Sequence, residues 1–124
     1  MKLGSGAFEG SYSFGSRFKE EAGTNPEELL GAAHAGCFSM ALAGILQQAG
    51  YAPERIHTRA RVHIEADEQG FQITAIALET EARIPGLDAA DFQRIAEFAK
   101  NACALSRALR NGSAAISLQA RLAT

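Results

Sequence analysis

Two cysteines, Cys37 and Cys103, are the side chains of this sequence best suited to redox chemistry. Cys37 falls inside an uncharged run of small and apolar residues, Leu29 to Leu46, and Cys103 lies in a second helix-like segment, Ala102 to Ser106. A thiol has a pKa near 8.5, and only its thiolate form attacks peroxides or disulfides. Two distant helical thiols therefore predict a redox pair, and a thiolate at Cys37 requires a nearby positive charge.

That charge has to come from another part of the fold. Cys37 lies about eleven residues past Pro26, the expected start of its helix, and the helix dipole acts only within the first turn. Arg17 is the best candidate, because it is flanked by aromatic residues in the segment Phe14 to Phe18, just before this helix. Glu27 could hold Arg17 in place, since a carboxylate accepts a guanidinium in bidentate fashion.

Composition limits the classes of protein that fit. The chain has 124 residues, of which 47% are apolar, and these numbers predict a single domain over residues 1–124. A net charge of −2 with scattered basic residues argues against a nucleic-acid-binding module. The first residues, Met1 to Gly6, lack the apolar core of a signal peptide, so we expect a cytoplasmic protein with reduced thiols. In that compartment a cysteine pair is catalytic, metal-binding or buried rather than a structural disulfide.

The elements that would position these residues follow from the hydrophobic pattern, which predicts an α+β fold. In chain order they are a hairpin or a strand and loop within residues 7–18, a helix from Pro26 to Gln48, a strand from Ile56 to Ala66, a strand from Phe71 to Ile84, a helix capped by Asp88 that ends near Ala102, a short helix over 106–109 and a strand from Ala115 to Leu122. The first two long strands form an antiparallel hairpin. The alternation changes phase near Ala75, which predicts a bulge there.

The uncharged run from Leu29 to Leu46 reaches the lower length limit of a membrane span. We interpret it instead as a soluble helix, because much of it is Ala, Gly and Ser and no basic anchor flanks it. A helix that is apolar on all sides must be covered on all sides. The sequence therefore predicts a homodimer around this helix, with Gly31, Gly36 and Gly44 allowing close approach of the backbones.

The segment Gly23 to Met40, with the sequence GTNPEELLGAAHAGCFSM, resembles the signature of the OsmC/Ohr family of thiol-dependent organic hydroperoxide reductases, in particular its OsmC branch. The segment Phe14 to Phe18 is similar to the one that supplies the family's catalytic arginine. The helix that ends at Cys103, with Ser106 after it, is similar to the family's second-cysteine segment. The resemblance covers nearly the whole chain from about Gly4.

The resemblance implies an OsmC-like fold, with an antiparallel sheet and two main helices, in an intertwined homodimer with a central buried helix and active sites at the subunit interface. It also implies a peroxidase that reduces organic hydroperoxides to alcohols and protects against oxidative stress. By position, Cys37 is the peroxidatic cysteine, Cys103 the resolving cysteine, Arg17 the partner of the thiolate and Glu27 the residue that orients Arg17. The Cys37 sulfenic acid condenses with Cys103 to a disulfide, which a dithiol, such as a lipoylated protein, reduces. No metal, haem or flavin is implied.

Two features depart from the family pattern. Ala104 follows the second cysteine, where the family commonly has proline, so the approach of Cys103 to Cys37 is an open question. The segment before Arg17 is shorter than usual, so the arginine loop could be placed differently.

Other interpretations remain open for the same residues. Cys37, Cys103 and His34 could form the soft ligands of a metal-binding or redox-sensing module, although structural zinc sites usually have closely spaced ligand pairs. The chain could also be an inactive dimer that keeps the fold. His34 on its own is expected to be a hydrogen-bonded core histidine. A set of apolar residues could form a collar that favours bulky hydroperoxides, but such residues are more often core: Phe14, Phe18, Phe38, Met40 and Leu105.

Overall fold

The computed structural model describes residues 1–123, and it confirms the expected α+β class. Its elements are α1 (Phe14–Phe18), α2 (Pro26–Gln48), β1 (Arg55–Asp67), β2 (Gly70–Arg83), α3 (Ala89–Ala102), α4 (Ala104–Leu109) and β3 (Ala115–Leu122). The long helices and all three strands lie within about three residues of the predicted positions. These are the segments with the strongest periodicity in the sequence.

The three strands form one sheet in the order β1-β2-β3. β1 and β2 pair antiparallel, as expected, and their register shifts where His63 and Ile64 face Ala75 and Ile73. The bulge predicted near Ala75 is therefore confirmed. β3 pairs with β2 in parallel, so the expectation of an antiparallel sheet was wrong for this strand. The chain runs through α3 and α4 between β2 and β3, and such a crossover brings β3 back in the parallel direction.

The core lies between one face of the sheet and the helices α2 and α3. Mostly apolar inward-facing side chains alternate with more exposed outward-facing ones along each strand, and charged residues dominate the outer face of β1. The core side chains buried most completely come from α2, β2 and α3: Phe38, Leu42, Leu46, Ile76, Leu78, Ala82, Phe92, Ala96 and Ala99. A short row of hydroxyl groups also ties α2 to the sheet, because Ser39 Oγ donates to Thr58 Oγ1 at 2.7 Å, and Thr58 lies 2.9 Å from Thr80 Oγ1.

The segment before α2 differs from the prediction. A hairpin, or a strand and loop, was expected within residues 7–18, but Phe14–Phe18 form the short helix α1. Ser13 and Ser16 cap this helix reciprocally, and the Ser16 hydroxyl also donates to the Thr24 carbonyl at 2.8 Å. The helix is only five residues long, too short for a periodic signal. Its anchoring to Thr24 holds the segment against the start of α2.

α2 begins as the sequence predicts. The Asn25 side chain accepts a hydrogen bond from the Glu28 N–H at 2.7 Å, and Pro26 takes the first helical position. Gly31 allows close approach, but to β1 of the same chain, since an added Cβ would lie 3.3 Å from a Val62 methyl carbon. The expectation that Gly31 serves contact between two chains was therefore wrong.

Only one side of α2 is covered in this structure. An exposed row runs along its other side at helical spacing and consists of Ala33, Gly36, Met40 and Gly44. Met40 is 79% exposed, and an added Cβ at Gly36 or Gly44 would meet no atom within 4 Å. By length and composition α2 is the one helix of residues 1–123 that could cross a membrane, a criterion that the core helix of a soluble protein also meets.

Candidate active site

The two thiols lie side by side, although they are far apart in the sequence. Cys37 is half-buried on α2, and Cys103, which is 2% exposed, links α3 to α4. Both are free, and they are close enough for the Cys37 thiol to help lower the pKa of Cys103. They line one open groove of about 630 Å³. The other residues that line this groove are small or apolar: Ala32, Ala33, Gly36, Met40, Ala41, Ala102, Ala104 and Leu105.

The surroundings of Cys103 favour its thiolate form. Burial alone raises the pKa of a thiol, but polar groups around the Cys103 sulfur outweigh burial and lower this pKa below its usual value. These groups are the N–H and hydroxyl of Ser106, the Cys37 thiol and the N–H of Leu105. Cys103 occupies the N-cap position of α4 without a full capping hydrogen bond to its side chain. The first turn of α4 thus stabilises negative charge on this sulfur.

The structure pairs Arg17 with Glu27. Arg17 Nε lies 3.0 and 3.1 Å from the two carboxylate oxygens, and Nη2 contacts Oε1 as well. Glu27 is only 7% exposed. Burial raises the pKa of its carboxyl, but the Arg17 guanidinium and the Glu27 N–H together hold this pKa below its usual value. A charged carboxylate fixes the direction of the guanidinium.

Two aromatic rings lie close to the Arg17 guanidinium. Its Cζ lies 5.1 Å from the centroid of the Phe18 ring and 5.5 Å from that of Phe71, distances at which a cation is attracted by a ring face. Phe18 also packs against Phe14, with ring centroids 4.8 Å apart. Phe14 and Phe71 remain 62% and 52% exposed. Arg17 therefore lies within a cluster of aromatic side chains that is partly exposed to solvent.

Arg17 and Glu27 do not meet the thiols within one chain. Glu27 and Cys37 are separated by ten residues of α2, which corresponds to about 15 Å along the helix axis. Neither Arg17 nor Glu27 lines the groove that contains the two cysteines. The predicted site residues thus form two separate pairs, Arg17 with Glu27 and Cys37 with Cys103.

His34 is a buried core histidine, as expected. Its side chain is 0% exposed, and Nε2 lies 2.8 Å from Ser106 Oγ. Burial lowers the pKa of the imidazole. The alternative metal site of His34, Cys37 and Cys103 does not form, because no three His, Cys, Asp or Glu side chains among residues 1–123 lie together in a ligating arrangement.

Two residues of the site were not singled out from the sequence. Phe71 lies at the start of β2 and reaches Arg17 across the fold, and Ser106 entered the sequence analysis only as part of a resembling segment. Ser106 contacts both His34 and Cys103. Its partner His34 is 72 residues away in the chain, so no local pattern could have indicated the contact.

Comparison with known proteins identifies the family. The OsmC-like protein family profile matches residues 18–118. The chain is 50% identical to peroxiredoxin OsmC of Escherichia coli (strain K12) over 99 residues, which cover 80% of this chain and 69% of that protein. It is 33% identical to an organic hydroperoxide resistance protein of Xanthomonas axonopodis pv. citri (strain 306), over 71% of this chain and 61% of that protein.

A solved structure shares this fold. The crystal structure of an organic hydroperoxide resistance protein OsmC from Legionella pneumophila superposes with a TM-score of 0.77 at 24% identity, covering 97% of this chain and 86% of that one. The profile match over residues 18–118 and the 50% identity to peroxiredoxin OsmC establish that the chain belongs to the OsmC-like protein family.

Proposed function

We propose that this chain is a thiol-dependent peroxidase that reduces organic hydroperoxides to alcohols and so protects the cell from oxidative stress. The observation that carries the proposal is the pair of free cysteines that line one apolar groove. The 50% identity to a protein named peroxiredoxin supports it.

Cys37 is proposed as the peroxidatic cysteine. It is the more accessible of the two thiols, so a substrate in the groove reaches its sulfur first. The Cys37 thiolate attacks one peroxide oxygen, the O–O bond breaks, and the second oxygen leaves as an alcohol after taking up a proton. Cys37 is left as a sulfenic acid.

The lining of the groove favours an organic substrate. On the side formed by α3 and α4, next to Cys103, the lining consists of Ala102, Ala104 and Leu105. Such a surface gains free energy by covering an alkyl or aryl group, at about 25 cal/mol per Å² of apolar area. Hydrogen peroxide has no apolar surface to bury, so a hydroperoxide with an organic substituent binds better.

Cys103 is proposed as the resolving cysteine. Its sulfur attacks the Cys37 sulfenic acid, a disulfide forms and water leaves. A small dithiol, such as one carried on a lipoylated protein, then reduces the disulfide by thiol exchange. A cycle that ends in this reduction requires a reducing compartment, which is the reason for proposing the cytoplasm.

Arg17 and Glu27 are proposed to act across a homodimer. Within one chain their ion pair lies about 15 Å along α2 from Cys37, so it cannot contact that sulfur. A second copy packed on the exposed row of α2 would bring its own Arg17, held by its own Glu27, toward Cys37. A guanidinium there favours the thiolate over the thiol.

Intact mass spectrometry under non-reducing conditions tests the function. The reduced protein is treated with one equivalent of cumene hydroperoxide, beside the variants Cys37→Ser and Cys103→Ser. The expected result is loss of two hydrogens from the wild type, gain of oxygen by Cys103→Ser and no change in Cys37→Ser. An unmodified wild type would contradict the proposal and favour an inactive dimer.

A further inference from the structure

The contact between His34 and Ser106 has no part in the cycle described so far. His34 is completely buried on α2, and Ser106 on α4 is 3% exposed. Their hydrogen bond, 2.8 Å from Nε2 to Oγ, lies next to the thiol pair, because Cys37 follows His34 by one helical turn and Cys103 precedes Ser106 by three residues. Burying two polar groups costs free energy unless they hydrogen-bond to each other.

The other ring nitrogen of His34 indicates which group donates. Nδ1 is buried and has no hydrogen-bond partner within residues 1–123. If Nδ1 carried the proton, a buried N–H would be left unsatisfied, which is rarer in proteins than an unsatisfied acceptor. The favoured tautomer therefore has the proton on Nε2, and Nε2–H donates to Ser106 Oγ. Burial lowers the pKa of His34, so the ring is neutral at neutral pH.

This direction decides where the Ser106 hydroxyl points. With its oxygen accepting from His34, the hydroxyl hydrogen is free to donate elsewhere. Cys103 is its neighbour, because Ser106 is the third residue of α4 and a side chain at that position lies next to the N-cap residue, here Cys103. The N–H of Ser106 faces the Cys103 sulfur, as does that of Leu105. The titratable group that faces Cys103 is the thiol of Cys37. In this arrangement His34 donates to the Ser106 oxygen, and the Ser106 hydroxyl donates to the Cys103 sulfur.

We propose that His34 and Ser106 are positioning residues for Cys103, which aim the Ser106 hydroxyl hydrogen at its sulfur and keep it ready to resolve the Cys37 sulfenic acid. The inference deepens the proposed function and rests on it. In the step it serves, the Cys103 thiolate attacks the sulfenic sulfur, the S–S bond forms and the S–O bond breaks. The hydroxide that leaves takes up the proton that Cys103 released, and water is the product.

The first test measures the titration of the Cys103 thiol alone. In a Cys37→Ser background the remaining thiolate is titrated by its ultraviolet absorbance as the pH is raised. We expect Ser106→Ala and His34→Leu to move this titration to higher pH, since each breaks this arrangement of donors. His34→Gln should titrate like the parent, because a glutamine amide N–H can replace Nε2–H.

The second test follows the resolving step in chains that keep both cysteines. After one equivalent of cumene hydroperoxide, quenched samples are analysed by intact mass. We expect Ser106→Ala to accumulate the sulfenic acid and to form the disulfide roughly tenfold more slowly, the size of one hydrogen bond to a charged group. The rate at which Cys37 is first oxidised should not change.

An unchanged Cys103 titration in Ser106→Ala would overturn the inference, whatever the peroxide data show. Should His34→Leu fail to fold, Ser106→Ala decides, since it removes a single oxygen atom. A His34→Leu protein that folds and titrates like the parent also overturns it. A wild type in which Cys37 is never oxidised rejects the proposed function instead, and the titration arm remains decisive for the positioning role.

Discussion

Glu27 and Cys37 lie on the same helix ten residues apart, and each is paired with a different partner. Glu27 binds Arg17 through Nε and Nη2, whereas Cys37 lies beside Cys103 in the groove. α2 thus contributes Glu27 to the ion pair and Cys37 to the thiol pair, at two separate positions along the helix.

Replacing Glu27 with Gln tests the orientation of Arg17. The substitution keeps the size of the side chain but removes the charge that holds the guanidinium. We expect kcat/KM for cumene hydroperoxide to fall roughly tenfold or more, the size of one charged hydrogen bond. Glu81→Gln is the matched control, because Glu81 binds Arg55 and Arg121 on the exposed sheet face. Wild-type activity in Glu27→Gln would contradict the assigned role.

Glu27→Gln should also change how the stability of the protein depends on pH. The pKa of Glu27 is lowered in the folded protein, so its contribution to stability is complete above about 4.5, the usual pKa of glutamate. It is lost as the pH falls from there through the folded-state pKa. Urea unfolding midpoints of wild type and Glu27→Gln should therefore converge below pH 4.5. A difference that stays constant down to lower pH would exclude this linkage.

Subunit mixing tests whether Arg17 acts across the dimer. Arg17→Ala and Cys37→Ser proteins, each inactive alone, are unfolded together and refolded. If Arg17 of one chain serves Cys37 of the other, each mixed dimer holds one intact site. Random pairing then restores about a quarter of the wild-type activity. Activity that stays at the background level would place both residues of a site in the same chain.

Charge on the exposed row of α2 tests the dimer itself. Gly44 has open space around it within one chain, so Gly44→Glu leaves the fold intact. In a dimer packed on this row the carboxylate would be buried without a partner, at a cost of several kcal/mol. Sedimentation velocity should show a monomer. Phe98→Glu is the control, since Phe98 is 62% exposed on α3, and it should keep the wild-type sedimentation coefficient.

The sequence predicts those parts of the fold that depend on short-range patterns. The Asn25 cap and Pro26 mark the start of α2, and the phase change near Ala75 marks the bulge in β2. Parallel pairing of β3 and the contact of His34 with Ser106 depend on how distant segments come together, which periodicity does not encode. The short helix α1 was missed because five residues are too few for a periodic signal and the Gly and Ser in and before it suggest turns.

The candidate site was predictable to a similar degree. Spacing and residue type indicate the two thiols and suggest that Glu27 holds Arg17, an ion pair that the structure contains. The position of the Phe71 ring near Arg17 was not predicted, because Phe71 comes from a strand more than fifty residues later. A single chain also cannot report which residues a second copy supplies.

Ala104 in place of the family's usual proline is expected to have little effect on the thiol pair. Cys103 already has backbone angles of −58° and 137°, which a residue before proline readily adopts. Ala104 is the first residue of α4, a position that proline favours because its missing N–H is unpaired there anyway. The geometry that proline would impose is therefore present without it.

Ala104→Pro should consequently stabilise the protein and leave resolution unchanged. Proline restricts the unfolded chain, which adds about 0.4–1 kcal/mol where the native backbone already fits. We expect the thermal midpoint to rise by a few degrees and the rate of disulfide formation to match wild type. Ala102→Pro is the control, because it falls inside the last turn of α3 and should destabilise the protein by about 3 kcal/mol. Slower disulfide formation in Ala104→Pro would mean that Ala104 itself shapes the approach of Cys103 to Cys37.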